Sequence, residues 1–114
     1  MPKKRNIIDA TINAIDGVKE LALQKAARRE LILAAIAIGF FCYRPNVYTV
    51  LIAVLSLVLL AIEALNTAIE KTCDLISMEE HPEIKKIKDL GAAAVMIIVL
   101  AIVLILIRYL SPFF

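Results

Sequence analysis

From residue 6 to residue 24 apolar side chains recur every three to four positions, at Ile7, Ile8, Ile12, Ile15, Val18 and Leu21, while Asp9, Asn13, Asp16 and Glu20 occupy another face. This rhythm predicts an amphipathic helix over 6–24, lying at a membrane surface. The pattern then changes. LILAAIAIGFFCY, residues 31–43, is apolar almost throughout. It falls short of the ~20 residues a span needs, but the preceding QKAA extends it, with Lys25, Arg28 and Arg29 snorkelling to the headgroups. A first transmembrane helix is expected over 26–43. RPN at 44–46 is a Pro-containing break just long enough to reverse direction between antiparallel helices. The second span, NVYTVLIAVLSLVLLAI, occupies the membrane from Val47 to Ile62, and its helix is expected to continue to residue 70. After the polar SMEEHPEIKK, Pro82 behind His81 opens a third transmembrane helix over 82–110. Gly91, Ala92, Ala93 and Ala94 near its beginning permit close helix contacts.

Composition agrees with this reading. Of 114 residues 61% are hydrophobic, against ~45–50% in soluble domains, and the mean hydropathy is +0.85. The expected architecture is an all-α membrane protein, one integral-membrane domain over 1–114, too short to carry a separate soluble domain of ordinary size. A formal charge of +2, with thirteen Lys and Arg against eleven Asp and Glu, gives no footprint for nucleic acid. The placement of the basic residues says more. Lys3, Lys4, Arg5, Lys19, Lys25, Arg28 and Arg29 precede the first span, and Lys71, Lys85, Lys86 and Lys88 flank the 71–88 loop. Only Arg44 and Arg108 lie at the other side. The N-terminus and the 71–88 loop are therefore expected to be cytoplasmic. Cys42 and Cys73 make neither a metal-spaced pair nor a disulfide framework and are expected to be buried small apolar residues. The N-terminus starts basic, but Asp9, Asp16, Lys19 and Glu20 interrupt any apolar core, so no cleaved signal is expected.

The informative stretch is EALNTAIEKTCDLI, residues 63–76, directly after the second span. At about 100° per residue, Glu63, Asn66, Glu70 and Asp74 fall at about 0°, 300°, 340° and 20°, on one helix face. Glu63 lies at or just inside the interface, where an ionised carboxylate is costly unless water, a metal or a partner meets it. Such a group suits a general base acting on a hydroxyl that arrives from the lipid. Glu70 and Asp74 lie about two and three turns nearer water, where hard oxygen ligands hold Mg²⁺ together with substrate phosphates. Lys88, across the loop beside Asp89, offers a point charge to phosphate oxygens. Spacing alone leaves a second reading open, a solvated juxtamembrane helix whose acids pair with Lys71, Lys85 and Lys86. His81, with no second His or suitable Cys beside it, reads as a helix-entry residue rather than a metal ligand. Gly17, Gly39 and Gly91 make no glycine-rich phosphate loop, so any nucleotide is bound without one.

EALNTAIEKTCDLI followed by EEHPEIKKIKDLGAAAV resembles the prokaryotic diacylglycerol kinase family, which also contains the undecaprenol kinases. The family pattern E-x-x-N-[ST]-A-I-E-x-x-x-D, followed by K-D and small residues, is met by Glu63, Asn66, Thr67, Ala68, Ile69, Glu70, Asp74, Lys88 and Asp89. The resemblance implies a homotrimeric inner-membrane kinase, each subunit having a surface helix and three transmembrane helices. It implies transfer of the γ-phosphoryl of MgATP to a lipid alcohol, diacylglycerol or undecaprenol, at sites shared between neighbouring subunits. By position, Glu63 would take the hydroxyl proton, Asn66 and Asp74 would support the site, and Glu70 would bind metal. Glu79, His81, Lys88 and Asp89 would form the nucleotide side. One departure stands out: the family's second metal-binding Glu, before the first span, is replaced by Lys25, or by Gln24 on a shift of one. Asn6 and Ala14 fall near the family's early Arg and Ser. The alternative implied by these departures is a catalytically weak or inactive membrane scaffold of the same fold.

Overall fold

The computed structural model describes residues 6–77, 79 and 81–111; Lys3, Lys4 and Arg5, which entered the charge asymmetry, lie outside them. Among the described residues the secondary structure is helical throughout: α1 (Ile7–Ala22), α2 (Lys25–Tyr43), α3 (Val47–Ile76) and α4 (Pro82–Leu110). The start of each reflects local chemistry. Asn6 caps α1 by accepting from the Asp9 N–H at 2.8 Å. Asn46 Oδ1 accepts from the N–H groups of Tyr48 and Thr49 at 2.9 and 3.0 Å, while the Asn46 N–H donates back to Thr49 Oγ1 at 3.0 Å. This reciprocal cap lets a three-residue break reverse the chain. His81 Nδ1 accepts from the Glu83 N–H at 3.2 Å and Pro82 takes the first turn, so His81 is the helix-entry residue expected of it.

Two boundaries differ from expectation by more than a single residue. Helix α1 stops at Ala22 because the Leu23 and Gln24 N–H groups fall back on the carbonyls of Glu20 and Leu21, at 3.2 and 2.9 Å, which tightens and closes the last turn. Helix α3 runs past residue 70 to Ile76 without a break, since nothing in LNTAIEKTCDLI interrupts it.

Helix α3 is the middle of a flat layer. It packs on α2 on one side and α4 on the other, α1 touches α2, and the molecule measures 54 × 40 × 22 Å. The buried apolar residues are mostly small: Ala27 and Ala34 of α2, with Ala53, Leu59 and Cys73 of α3. Small residues let backbones approach where lipid, as apolar as leucine, gives no hydrophobic drive for helix to meet helix. Cys42, expected to be buried, is exposed, because neither α3 nor α4 covers its side of α2. On α4 only Gly91 is buried, and the expectation for Ala92, Ala93 and Ala94 narrows to that one position.

Length sets what stands in oil and what stands in water. At 1.5 Å per residue the 30 residues of α3 span about 45 Å, against ~30 Å of hydrocarbon. About ten residues must project beyond it, and the polar ones lie at the C-terminal end. Two helices, α3 and α4, are long and apolar enough to cross a membrane among the described residues; α2 begins with Lys25, Arg28, Arg29 and Glu30 and fails that test. Helix α1 buries no residue, and an exposed ion pair between Glu20 and Lys71, 3.5 Å apart, ties it to α3.

Helix α4 approaches α3 tightly at Gly91, where an added Cβ would collide with the side-chain amide oxygen of Asn66. In an open helix Gly→Ala stabilises by about 1 kcal/mol, whereas overpacking costs about 1–3 kcal/mol. Gly91→Ala is therefore expected to lower the Tm, as read by thermal unfolding in detergent. The same substitution in an Asn66→Ala background is expected to raise it.

Candidate active site

The face of α3 from Glu63 to Asp74 passes from buried to exposed along its length. Glu63 and Asn66 are buried, at 9% and 8% exposure, while Glu70 and Asp74 are open. Asn66 Nδ2 donates to Glu70 Oε1 at 3.2 Å, so one buried amide fixes the direction of an exposed carboxylate one turn away. The other end of that amide, Oδ1, is buried against Gly91 with no partner. At Asp74 the layer is stitched across: Lys88 Nζ of α4 donates to Asp74 Oδ1 at 2.9 Å, with both side chains part-exposed. This contact brings the lysine of the K-D pair to the α3 stripe. Asp89 faces elsewhere, engaged by Lys85 on its own helix at 2.7 Å.

The lysines proposed as neutralising partners of the stripe have other partners. Lys71 meets Glu20, Lys85 meets Asp89 and Lys86 meets Glu83. Among the described residues neither Glu63 nor Glu70 is held in an ion pair by lysine or arginine. The reading of the stripe as acids quenched by neighbouring lysines therefore fails for these two carboxylates. Glu79 and His81 lie at the turn, exposed, and with Lys85 and Lys88 they line a groove of about 620 Å³ at the polar end of α3 and α4. The Glu79 N–H donates to Ser77 Oγ at 3.1 Å, which holds the turn.

Glu70, oriented by Asn66 and open to solvent, offers the hard oxygen donor that Mg²⁺ prefers. Among the described residues no three acidic, His or Cys side chains form a complete cage. That donor set fits a Mg²⁺ ion, which keeps its waters and binds through one or two carboxylates and substrate phosphates. Lys25 stands exposed at the first residue of α2.

One site-proximal residue escaped the sequence reading. Glu30, on α2, carries a buried carboxylate oxygen, Oε2, with no partner. Its carboxyl is close enough to that of Glu63 for the two to repel, and Arg29 offsets part of that repulsion. The available signal was position: Glu30 and Glu63 lie at similar separations from the 44–46 reversal, so an antiparallel pair brings them level.

An all-helical membrane protein that sets a buried carboxylate and an oriented exposed carboxylate on one helix face, with a lysine bridging to that face from the next helix, has the parts of a phosphoryl-transfer enzyme. Comparison with known proteins places it. The sequence pattern of the family described as prokaryotic diacylglycerol kinase matches residues 12–110. A diacylglycerol kinase of Sinorhizobium sp is 36% identical over 99 residues, covering 85% of this chain and 72% of the relative. One of Pseudomonas aeruginosa is 34% identical over 93 residues, 79% of this chain and 76% of the relative. A third, of Haemophilus influenzae, is 33% identical over 95 residues, 81% and 80% of the two chains. The chain belongs to the prokaryotic diacylglycerol kinase family, and is a membrane kinase of the lipid-kinase class.

The Asp74–Lys88 pair is part-exposed, and such pairs contribute about 0–1 kcal/mol. Asp74→Ala and Lys88→Ala, alone and together, are expected to give a coupling energy below about 1 kcal/mol in a double-mutant cycle read by unfolding in one detergent. A larger value would assign the pair a mainly structural role.

Proposed function

We propose that this protein transfers the γ-phosphoryl group of MgATP to the hydroxyl of a membrane lipid, diacylglycerol or undecaprenol, at the cytoplasmic face of a bacterial inner membrane. The observation that carries the reading is the gradient along α3, with Glu63 buried at the oily end and Glu70 held open by Asn66 at the wet end. ATP supplies the phosphoryl group, and Mg²⁺ neutralises charge on its oxygens. Glu63 accepts the hydroxyl proton as the lipid oxygen bonds to the γ-phosphorus and the bond to the departing ADP oxygen breaks. Glu70 provides the metal ligand and Asn66 keeps it aimed. Lys88 is released from Asp74 or shared with it to meet phosphate oxygens, while Glu79, His81 and Asp89 flank the nucleotide. Little covalent chemistry is asked of the protein; alignment and charge neutralisation account for the rate.

In this reading α2 is a third span with its charged first turn at the headgroups, and α1 lies on the surface with Ile7, Ile8, Ile12 and Ile15 toward lipid. The apolar flank of α4, with Met96, Ile97, Leu100 and Leu104 exposed, meets lipid and the neighbouring subunits of a homotrimer. Sites shared between subunits would let so small a chain hold a nucleotide without a domain of its own. The relatives named as diacylglycerol kinases favour diacylglycerol as the acceptor.

In mixed micelles the purified protein is expected to move labelled phosphate from ATP to lipid in a Mg²⁺-dependent way, tested side by side on the two alcohols. Glu63→Gln removes a general base, a contribution of about 10²–10⁴, and is expected to cut kcat at least a hundredfold. Glu70→Gln is expected to do the same, and to raise the Mg²⁺ concentration needed for half activity. Transfer to neither lipid, or both variants running at the wild-type rate, would end the proposal. Lys25→Glu is expected to raise kcat, by restoring an acid where the family carries one. A silent parent chain together with an active Lys25→Glu variant would instead establish the scaffold reading.

A further inference from the structure

The end of the molecule that carries the 44–46 reversal has an unbalanced charge. Over residues 31–62, and again from residue 90 onward, the chain contains no Asp, Glu, Lys or His, and its charged side chains there are Arg44 and Arg108. Both are exposed, and among the described residues neither meets a carboxylate. They are held all the same. Arg44 closes α2, and its carbonyl accepts from Thr49 Oγ1 at 2.8 Å, which fastens it to the first turn of α3. Its guanidinium lies 5.7 Å from the centre of the Tyr43 ring. Arg108, in the last turn of α4, lies 5.3 Å from the ring centre of Tyr48 in that same first turn of α3. Tyr48 leans on Tyr109 with centroids 5.8 Å apart, and Tyr109 meets Phe40 edge-on at 6.2 Å. Two cations are thus attached to one turn, with aromatic rings from α2, α3 and α4 beneath them.

A ring contact takes rotamer freedom from each guanidinium in advance and leaves its N–H fork for an oxyanion, so less order is lost when an anion binds. The helix ends do not use up the charge, because the carbonyls that close α2 and α4 favour a cation but carry only a partial charge. An anion at headgroup depth is what the surface lacks. A zwitterionic lipid offers a phosphate together with an ammonium, and no carboxylate side chain at this end pairs with the ammonium. A lipid with a net negative headgroup offers the phosphate alone. We propose that Arg44 and Arg108, positioned by Tyr43 and Tyr48, form a binding surface for the phosphate of a phospholipid with a net negative headgroup, in the leaflet opposite the acidic stripe of α3. The inference rests on the membrane-spanning fold and not on the lipid-kinase reading. The bound lipid is a partner of the fold, separated from Glu63 and Glu70 by the hydrocarbon core, ~30 Å thick.

The test compares two lipids on the full chain in a neutral detergent, with bound lipid counted by native mass spectrometry and Tm read in parallel. Dioleoylphosphatidylglycerol is expected to bind more tightly than dioleoylphosphatidylcholine and to raise the Tm further, with a preference that shrinks as salt is added. Lysines at the opposite end attract the same lipid, so variants decide. A cation beside an anionic lipid surface is worth about fivefold in affinity. Arg44→Gln and Arg108→Gln are each expected to weaken phosphatidylglycerol by about that factor, and together by about 25-fold, with phosphatidylcholine unchanged. Arg44→Lys and Arg108→Lys, which keep the charge, are expected to retain most of the preference, and Tyr48→Leu to lose part of what Arg108→Gln loses. A preference that survives in the double Gln variant overturns the proposal and assigns it to the lysines. Equal weakening of both lipids overturns it as well, and marks a structural role. So does inorganic phosphate that matches the thermal shift of phosphatidylglycerol in the wild type but not in the double variant, since the surface then takes a free anion. Should the double variant fail to fold, Arg108→Gln alone decides by the same criteria.

Discussion

Helix α3 is longer than the membrane is thick, and the rest of the molecule follows from that mismatch. An uninterrupted helix of 30 residues carries one face continuously from hydrocarbon to water. A side chain's distance along it sets its dielectric environment. Glu63 and Asn66 fall where water is being lost and Glu70 and Asp74 where it is regained. Chemistry that joins a greasy alcohol to a polyanion needs both environments within a few turns, and a single rigid rod provides them without a moving part.

The neighbours of α3 refine this gradient in different ways. Helix α4 contributes a glycine, and through it a close approach that holds the Asn66 amide in place. The amide in turn holds Glu70, so backbone proximity at one level becomes side-chain orientation at the next. One turn past that contact α4 sends Lys88 across to Asp74. Helix α2 packs on the other side through alanines, and the same close packing brings Glu30 level with Glu63.

How far the sequence could be read depended on whether a feature was local. The start of α3 behind the 44–46 break and the entry of α4 through His81 and Pro82 are written within a few residues, and both were legible, although the reciprocal cap between Asn46 and Thr49 was not read. The stripe on α3 was legible because helical geometry alone puts Glu63, Asn66, Glu70 and Asp74 on one face. What failed to show was register between helices. Glu30 stands near Glu63 only because a particular face of α2 turns toward α3, and no periodicity within RRELILAAIAI says which face. Cys42 misled for the same reason, being apolar enough for a core but placed on the uncovered side. The stop of α1 at Ala22 was missed because Leu23 and Gln24 are ordinary helix formers, and only the chain's change of direction ends the helix there.

A layer one helix deep has two outsides and no inside. At 22 Å across, with most of the large apolar side chains of α4 facing outward, this chain leaves much of its apolar surface to be covered by what adjoins it in the membrane. Its folded state is therefore defined jointly with its surroundings, and bilayer thickness and chain composition act on it much as core mutations act on a water-soluble domain. Lipid is then at once the reactant, the solvent and part of the scaffold of this enzyme, and a change in membrane composition reaches the reacting groups directly through packing.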